Sequence, residues 1–212
     1  MIKKINQNLY YYLVPLLLGA ITSFSLPPYN FIIINFLTFP LLLFFLITIQ
    51  KRNSIWLNFL IGWSFGIGYF FSNIYWIVYS LTFEEIFKPL IPIALVLIPL
   101  FLGLFYGLIT LLVSLFKLEK NFSSILIFSA IFATIEFIRG FVLGGFPWNL
   151  IVYSWTNYIN SLQILSLIGT YSFNLVSITI FLLPLVIFFK KKLKLKSILF
   201  IFLLLTLVLN HF

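Results

Sequence analysis

Glu136 and Arg139 carry opposite charges three residues apart in IEFIRGFVLGGFPWNLIVYSW (residues 135–155), inside a run apolar enough to sit in a bilayer. A lone charge at bilayer depth costs several kcal/mol, so ionisable residues there pair, face the protein interior and mark a functional path. At i and i+3 on a helix the two side chains share a face. Two chemistries are open to them. One is a structural ion pair that pins the helix. The other is a guanidinium offered to phosphate, because its planar fork suits bidentate contact with phosphate oxygens, and Arg139 lies close enough to the outer end of its span to snorkel to the head groups. Beyond the pair, Gly144 and Gly145 can end the helix and Pro147 bars its immediate resumption. Trp148, Tyr153, Trp155 and Tyr158 then suit the aromatic belt of a membrane interface. The candidate lipid or head-group contacts are Arg139, Glu136, Trp148, Asn149 and Tyr153.

Other chemistries are excluded by composition. The chain has no cysteine and one histidine, His211. It therefore contains no disulfide, no thiolate nucleophile and no histidine diad, and no zinc spacing or phosphate loop can be assembled. No metal or cofactor is expected.

The elements that must position these residues are membrane helices. Of 212 residues, 63% are hydrophobic and 8% charged, against about 45–50% and ~25% in soluble domains. A bilayer core needs about 20 apolar residues per helix. Runs of that kind fall at 9–26, 31–49, 55–81, 89–116, 122–145, 162–189 and 197–212. The predicted fold is an all-α polytopic bundle of about seven spans forming a single transmembrane domain.

The net charge of +9 then reports topology, and no nucleic acid partner is expected. Lys3, Lys4, Lys51, Arg52, Lys117, Lys120, Lys190, Lys191, Lys192, Lys194 and Lys196 all fall on one side of seven spans, leaving Lys88 and Arg139 of the 13 basic residues. By the positive-inside rule the N-terminus is cytoplasmic and the C-terminus periplasmic. The basic-then-apolar start lacks a clear cleavage site, so a retained first helix is expected. The ending LVLNHF, without a polar tail, reads as an interrupted sequence.

Two further stretches carry local signals. In SLPPYNF (25–31), Pro27 and Pro28 force a tight re-entry between the first two spans. In GWSFGIGYFFSNIYWIVYSL (62–81), Gly62 and Gly66 share a helix face and Gly68 lies off it, as suits close helix packing or a lipid-contacting wall. Tyr69, Tyr75, Trp76 and Tyr79 suit an outer aromatic belt.

These three stretches together resemble the membrane portion of bacterial apolipoprotein N-acyltransferases. The family pattern of an acid, an arginine and a Gly-Phe-Pro-Trp turn is matched by Glu136, Arg139 and Gly145 to Trp148, and the next span by Gln163, Gly169 and Asn174. The resemblance implies a multi-pass protein of the bacterial inner (plasma) membrane. It implies an outward nitrilase-like domain downstream, absent from this chain, with a Glu, Lys and Cys triad. The partners implied are a phospholipid acyl donor, a diacylated lipoprotein acceptor and membrane lipids. The acyl chain would pass through a cysteine thioester to the α-amine of the lipoprotein's diacylglyceryl-cysteine. None of that triad lies in these residues, so the chain alone is expected to be inactive. The alternative is a non-enzymatic membrane scaffold or lipid-binding remnant.

Overall fold

The computed structural model describes residues 2–49 and 54–189. Among these every regular element is helical: α1 (Ile2–Ser23), α2 (Asn35–Ile49), α3 (Ile55–Asn73), α4 (Ile91–Ser114), α5 (Phe122–Arg139), α6 (Ile159–Leu162), α7 (Ile164–Ile168), α8 (Thr170–Leu182) and α9 (Pro184–Phe189), joined by 3-10 turns. Five stretches are long and apolar enough to cross a bilayer: Ile32–Ile49, Ile55–Asn73, Glu85–Ser114, Phe122–Arg139 and Thr170–Phe189. Leu9–Ser23 is a shorter apolar helix. The seventh run, 197–212, His211 and the basic residues at 51–52 and 190–196 lie outside the described residues.

Three spans end differently from the sequence expectation. The third stops as α-helix at Asn73 and continues as the 3-10 run Tyr75–Thr82, in which no residue is buried. The fifth ends at Arg139, because the chain turns through Gly140 and the 3-10 turn Val142–Gly144. Arg139 is therefore the last helical residue, where a cation meets the negative end of the helix dipole. The sixth is broken at Gly169, whose φ of 77° no continuous helix contains, and again before Pro184.

Lipid tails are as apolar as leucine, so helices in a bilayer are held by close packing and hydrogen bonds more than by the hydrophobic effect. α3 uses both of its small-residue faces. Cβ atoms at Gly62 and Gly66 would strike Thr110, Tyr106 and Gly103 of α4, and one at Gly68 would strike the Leu16 carbonyl of α1. The packing alternative for this stretch is thus the one realised. Side chains lock the α3–α4 contact: Thr110 Oγ1 donates to the Asn58 carbonyl at 2.6 Å and Trp63 Nε1 to that of Leu100 at 2.8 Å. Aromatic rings fill the centre, with Phe39 on Phe132, Phe65 stacked on Tyr106 and Trp155 stacked on Phe181 at centroid distances of 5.4, 5.8 and 5.7 Å. Buried hydroxyls such as Thr22, Thr38 and Ser177 bond the carbonyl four residues back, which satisfies them within their own helix.

Candidate functional site

Four elements converge on the C-terminal end of α5. Glu136 and Arg139 are each 1% exposed. Glu136 Oε1 accepts the Tyr106 hydroxyl of α4 at 2.9 Å and faces Arg139 Nη2 at 3.4 Å, while Oε2 accepts Asn174 Nδ2 of α8 at 2.5 Å. Asn174 cannot turn its amide over freely, because its Oδ1 accepts the Val152 N–H at 2.9 Å.

Arg139 then holds the loop that follows it. Nη1 donates to the carbonyls of Phe146 and Trp148 at 2.9 and 3.0 Å, and the Phe146 N–H returns to the Arg139 carbonyl at 3.0 Å. The guanidinium also lies 5.3 Å from the ring centroid of Phe70 and 5.7 Å from that of Phe146, within cation–π range. Its Nε–H finds no partner among the described residues. Gly145 has φ of 78°, and a Cβ there would run into the Gly140 carbonyl. Only glycine fits that turn.

Two further contacts finish the clamp. Asn149 adopts the left-handed region at φ 57°, a conformation its short polar side chain tolerates, and its carbonyl accepts the Tyr69 hydroxyl at 2.9 Å. Tyr153 donates to the Pro147 carbonyl at 3.2 Å. Burial pushes the Tyr153 phenol above its usual range, so it remains a neutral donor.

The sequence-predicted residues therefore divide. Glu136 and Arg139 point inward and meet each other. Trp148 is 52% exposed, with Trp76 and Phe146 against it at 6.5 and 5.2 Å. Tyr153 is half-buried, and Asn149 contributes its backbone to the clamp. Two expectations change: Tyr69 is buried rather than in the aromatic belt, because its hydroxyl is needed at Asn149, and Trp155 is buried against Phe181 rather than at the boundary. Tyr106 is a partner the sequence reading missed. Its signal is the stripe Gly103, Tyr106, Gly107 and Thr110, spaced three or four apart along α4.

Beneath the clamp lies an apolar cavity of about 260 Å³ walled by Ile77, Ile98, Phe101, Arg139, Gly145 and Phe146 among others. A second cavity, about 450 Å³, shares Ile77 and Ile98 with it and runs along α4 past Ala94 and Leu97 to Leu81 and Leu90.

The class of protein is a helical membrane bundle, here with a buried ion pair that holds an aromatic loop beside an apolar cavity. Residues 18–183 match the family model described as apolipoprotein N-acyltransferase N-terminal domain. The chain is 34% identical over 178 residues to the apolipoprotein N-acyltransferase of Rhodopseudomonas palustris, covering 82% of this chain and 33% of that protein. Over 179 residues it is 30% identical to that of Brucella melitensis (81% and 34%) and 30% to that of Rhizobium rhizogenes (81% and 33%). The chain belongs to the apolipoprotein N-acyltransferase family, and it spans about a third of the length of the curated relatives it matches.

Proposed function

We propose that this chain is the transmembrane region of an enzyme that moves an acyl chain from a phospholipid to the α-amine of a lipoprotein's diacylglyceryl-cysteine. In the whole protein a cysteine thiolate of a nitrilase-like domain attacks the ester carbonyl and expels the lysophospholipid. The lipoprotein amine then attacks the thioester and releases the thiolate. These 212 residues contain no cysteine, so they supply neither that nucleophile nor turnover by themselves. The spans lie in the bacterial inner membrane, and with the N-terminus cytoplasmic the Arg139 loop faces the outer leaflet.

The observation that carries this reading is the pair of cavities under the clamp. They share Ile77 and Ile98 as walls, one running as a lane along α4 and the other lined by the one guanidinium in the described part of the bundle. An acyl chain fits the lane, and its ester end reaches the loop. Glu136 and Arg139 act as positioning residues that fix Phe146 to Trp148. Trp148, Asn149 and Tyr153 form the head-group side.

The test is an acyl-transfer assay with a phospholipid donor and a diacylated peptide acceptor. The whole protein turns over, and Ile98→Trp, which fills the lane, raises its KM for phospholipid without lowering its abundance. The 212-residue chain gives no product. Turnover by these residues alone, or full activity with the lane filled, refutes the reading.

A further inference from the structure

A separate amphipathic cavity system lies at the other end of the bundle. α5 is 18 residues long, which separates its capped start at Asn121 from Arg139 by about 27 Å. There the end of α2 and the turn from α4 to α5 line an open pocket of about 760 Å³ whose polar lining includes Thr48, Lys117, Glu119 and Lys120. Thr48 also lines an adjoining groove of about 330 Å³ between α1 and α2, walled by Val14, Leu18, Leu41, Phe44 and Phe45. Lys120 bridges the two, its ammonium 5.0 Å from the ring centroid of Phe44.

The charges do not cancel. Lys117 pairs with Glu119 at 3.1 Å, whereas Lys120 pairs with no carboxylate among the described residues and rests on an apolar ring. That leaves a net positive pocket, and in the sequence Lys51 and Arg52 come one residue after α2.

We propose that these cavities bind an anionic phospholipid of the leaflet at this end, its phosphate between Lys117 and Lys120 and one acyl chain in the α1–α2 groove. Basic pockets between membrane helices recognise anionic head groups in this way. The groove selects a lipid over a soluble anion, which would gain nothing from Val14 or Leu18. The excess positive charge selects an anionic lipid over a zwitterionic one, whose own ammonium the lysines repel. This site is independent of the acyl-transfer reading, since it lies at the opposite end and its test measures no turnover.

The experiment places the 212-residue chain in nanodiscs of phosphatidylethanolamine doped with phosphatidylglycerol and counts retained lipids by native mass spectrometry. The chain retains phosphatidylglycerol in preference. Lys117→Gln and Lys120→Gln each lower that preference about fivefold, Glu119→Gln raises it, and Val14→Trp lowers retention of both lipids. Thermal unfolding of each variant confirms that it is folded. Preference unchanged in the two lysine variants, a fall with Glu119→Gln, or displacement of the lipid by inorganic phosphate alone overturns the proposal.

Discussion

Replacing Glu136 by Gln tests whether the clamp is held by charge or only by hydrogen bonds. The two carboxylate oxygens serve different partners: Oε1 takes Tyr106 and Arg139, and Oε2 takes Asn174. A glutamine can present an acceptor to only one side. With its NH2 at the Oε2 position it faces the Asn174 NH2, which the Val152 N–H holds in place. Turned over, its NH2 faces Arg139. Either way one donor meets another, and Arg139 loses its counter-ion while buried. Removing one member of a buried pair costs about 3–5 kcal/mol; Arg139 keeps two carbonyl acceptors, so we expect the lower end, ~3 kcal/mol. Tyr106→Phe removes one hydrogen bond and leaves the pair intact. Interhelical hydrogen bonds in bilayers average about 0.6 kcal/mol, so ~1 kcal/mol or less is expected. Unfolding of the detergent-solubilised chain, followed by tryptophan fluorescence, gives both values. The double variant Glu136→Gln/Arg139→Met should lose less than the sum of its singles, because it leaves no orphaned charge. The reasoning fails if Glu136→Gln costs no more than Tyr106→Phe, or if the double variant is additive.

Three other outcomes follow from the same geometry. Gly68→Ala should cost about 1–3 kcal/mol by the same unfolding measurement, since its Cβ has only the backbone of Leu16 and Ala20 to meet; a neutral result would mean that α1 and α3 are not in backbone contact. Arg139→Lys keeps the charge but loses the planar fork whose Nη1 holds Phe146 and Trp148 while Nη2 meets Glu136, so amide exchange over Gly145–Asn149 should quicken and stability fall by ~1–2 kcal/mol. Unchanged exchange there would remove the clamp role. Trp148→Ala, half-exposed, should change stability by no more than about 0.5 kcal/mol, and under the proposed function it should weaken phospholipid use by the whole protein; normal use would move the head-group side elsewhere.

The membrane class was legible because a bilayer imposes length and apolarity on every span, and those survive in composition. Helix ends were less so. The apolar run through Tyr75–Leu81 continues past Asn73 without a break in hydropathy, but the backbone there tightens to a 3-10 turn at the surface. The apolar count cannot register such a change of winding. Gly169 matches the family pattern in the sequence, yet only its positive φ shows that it breaks the sixth span. At the site the i, i+3 spacing disclosed that Glu136 and Arg139 meet. It could not disclose Tyr106 or Asn174, which reach them from α4 and α8 and are 30 and 38 residues away from Glu136 in sequence.

Why charges sit here at all follows from the backbone around them. Residues 140–158 are not regular α-helix, and non-helical backbone packed into a membrane bundle survives only where protein satisfies its polar groups. Those groups find side-chain partners: Arg139 for the Phe146 and Trp148 carbonyls, Tyr69 for that of Asn149, Tyr153 for that of Pro147, and Asn174 for the Val152 N–H. An arginine supplies two of these carbonyls from Nη1 and reaches Glu136 from Nη2, in a planar fork that a single ammonium does not offer. Burying its cation then requires a carboxylate one helical turn away, and burying that carboxylate requires the donors of Tyr106 and Asn174. Each polar residue is demanded by the one before it, and the sequence begins with a loop that must be irregular. An apolar replacement of the pair could keep the helices packed, but it would release the carbonyls of Phe146 and Trp148 and with them the position of the exposed Trp148 ring.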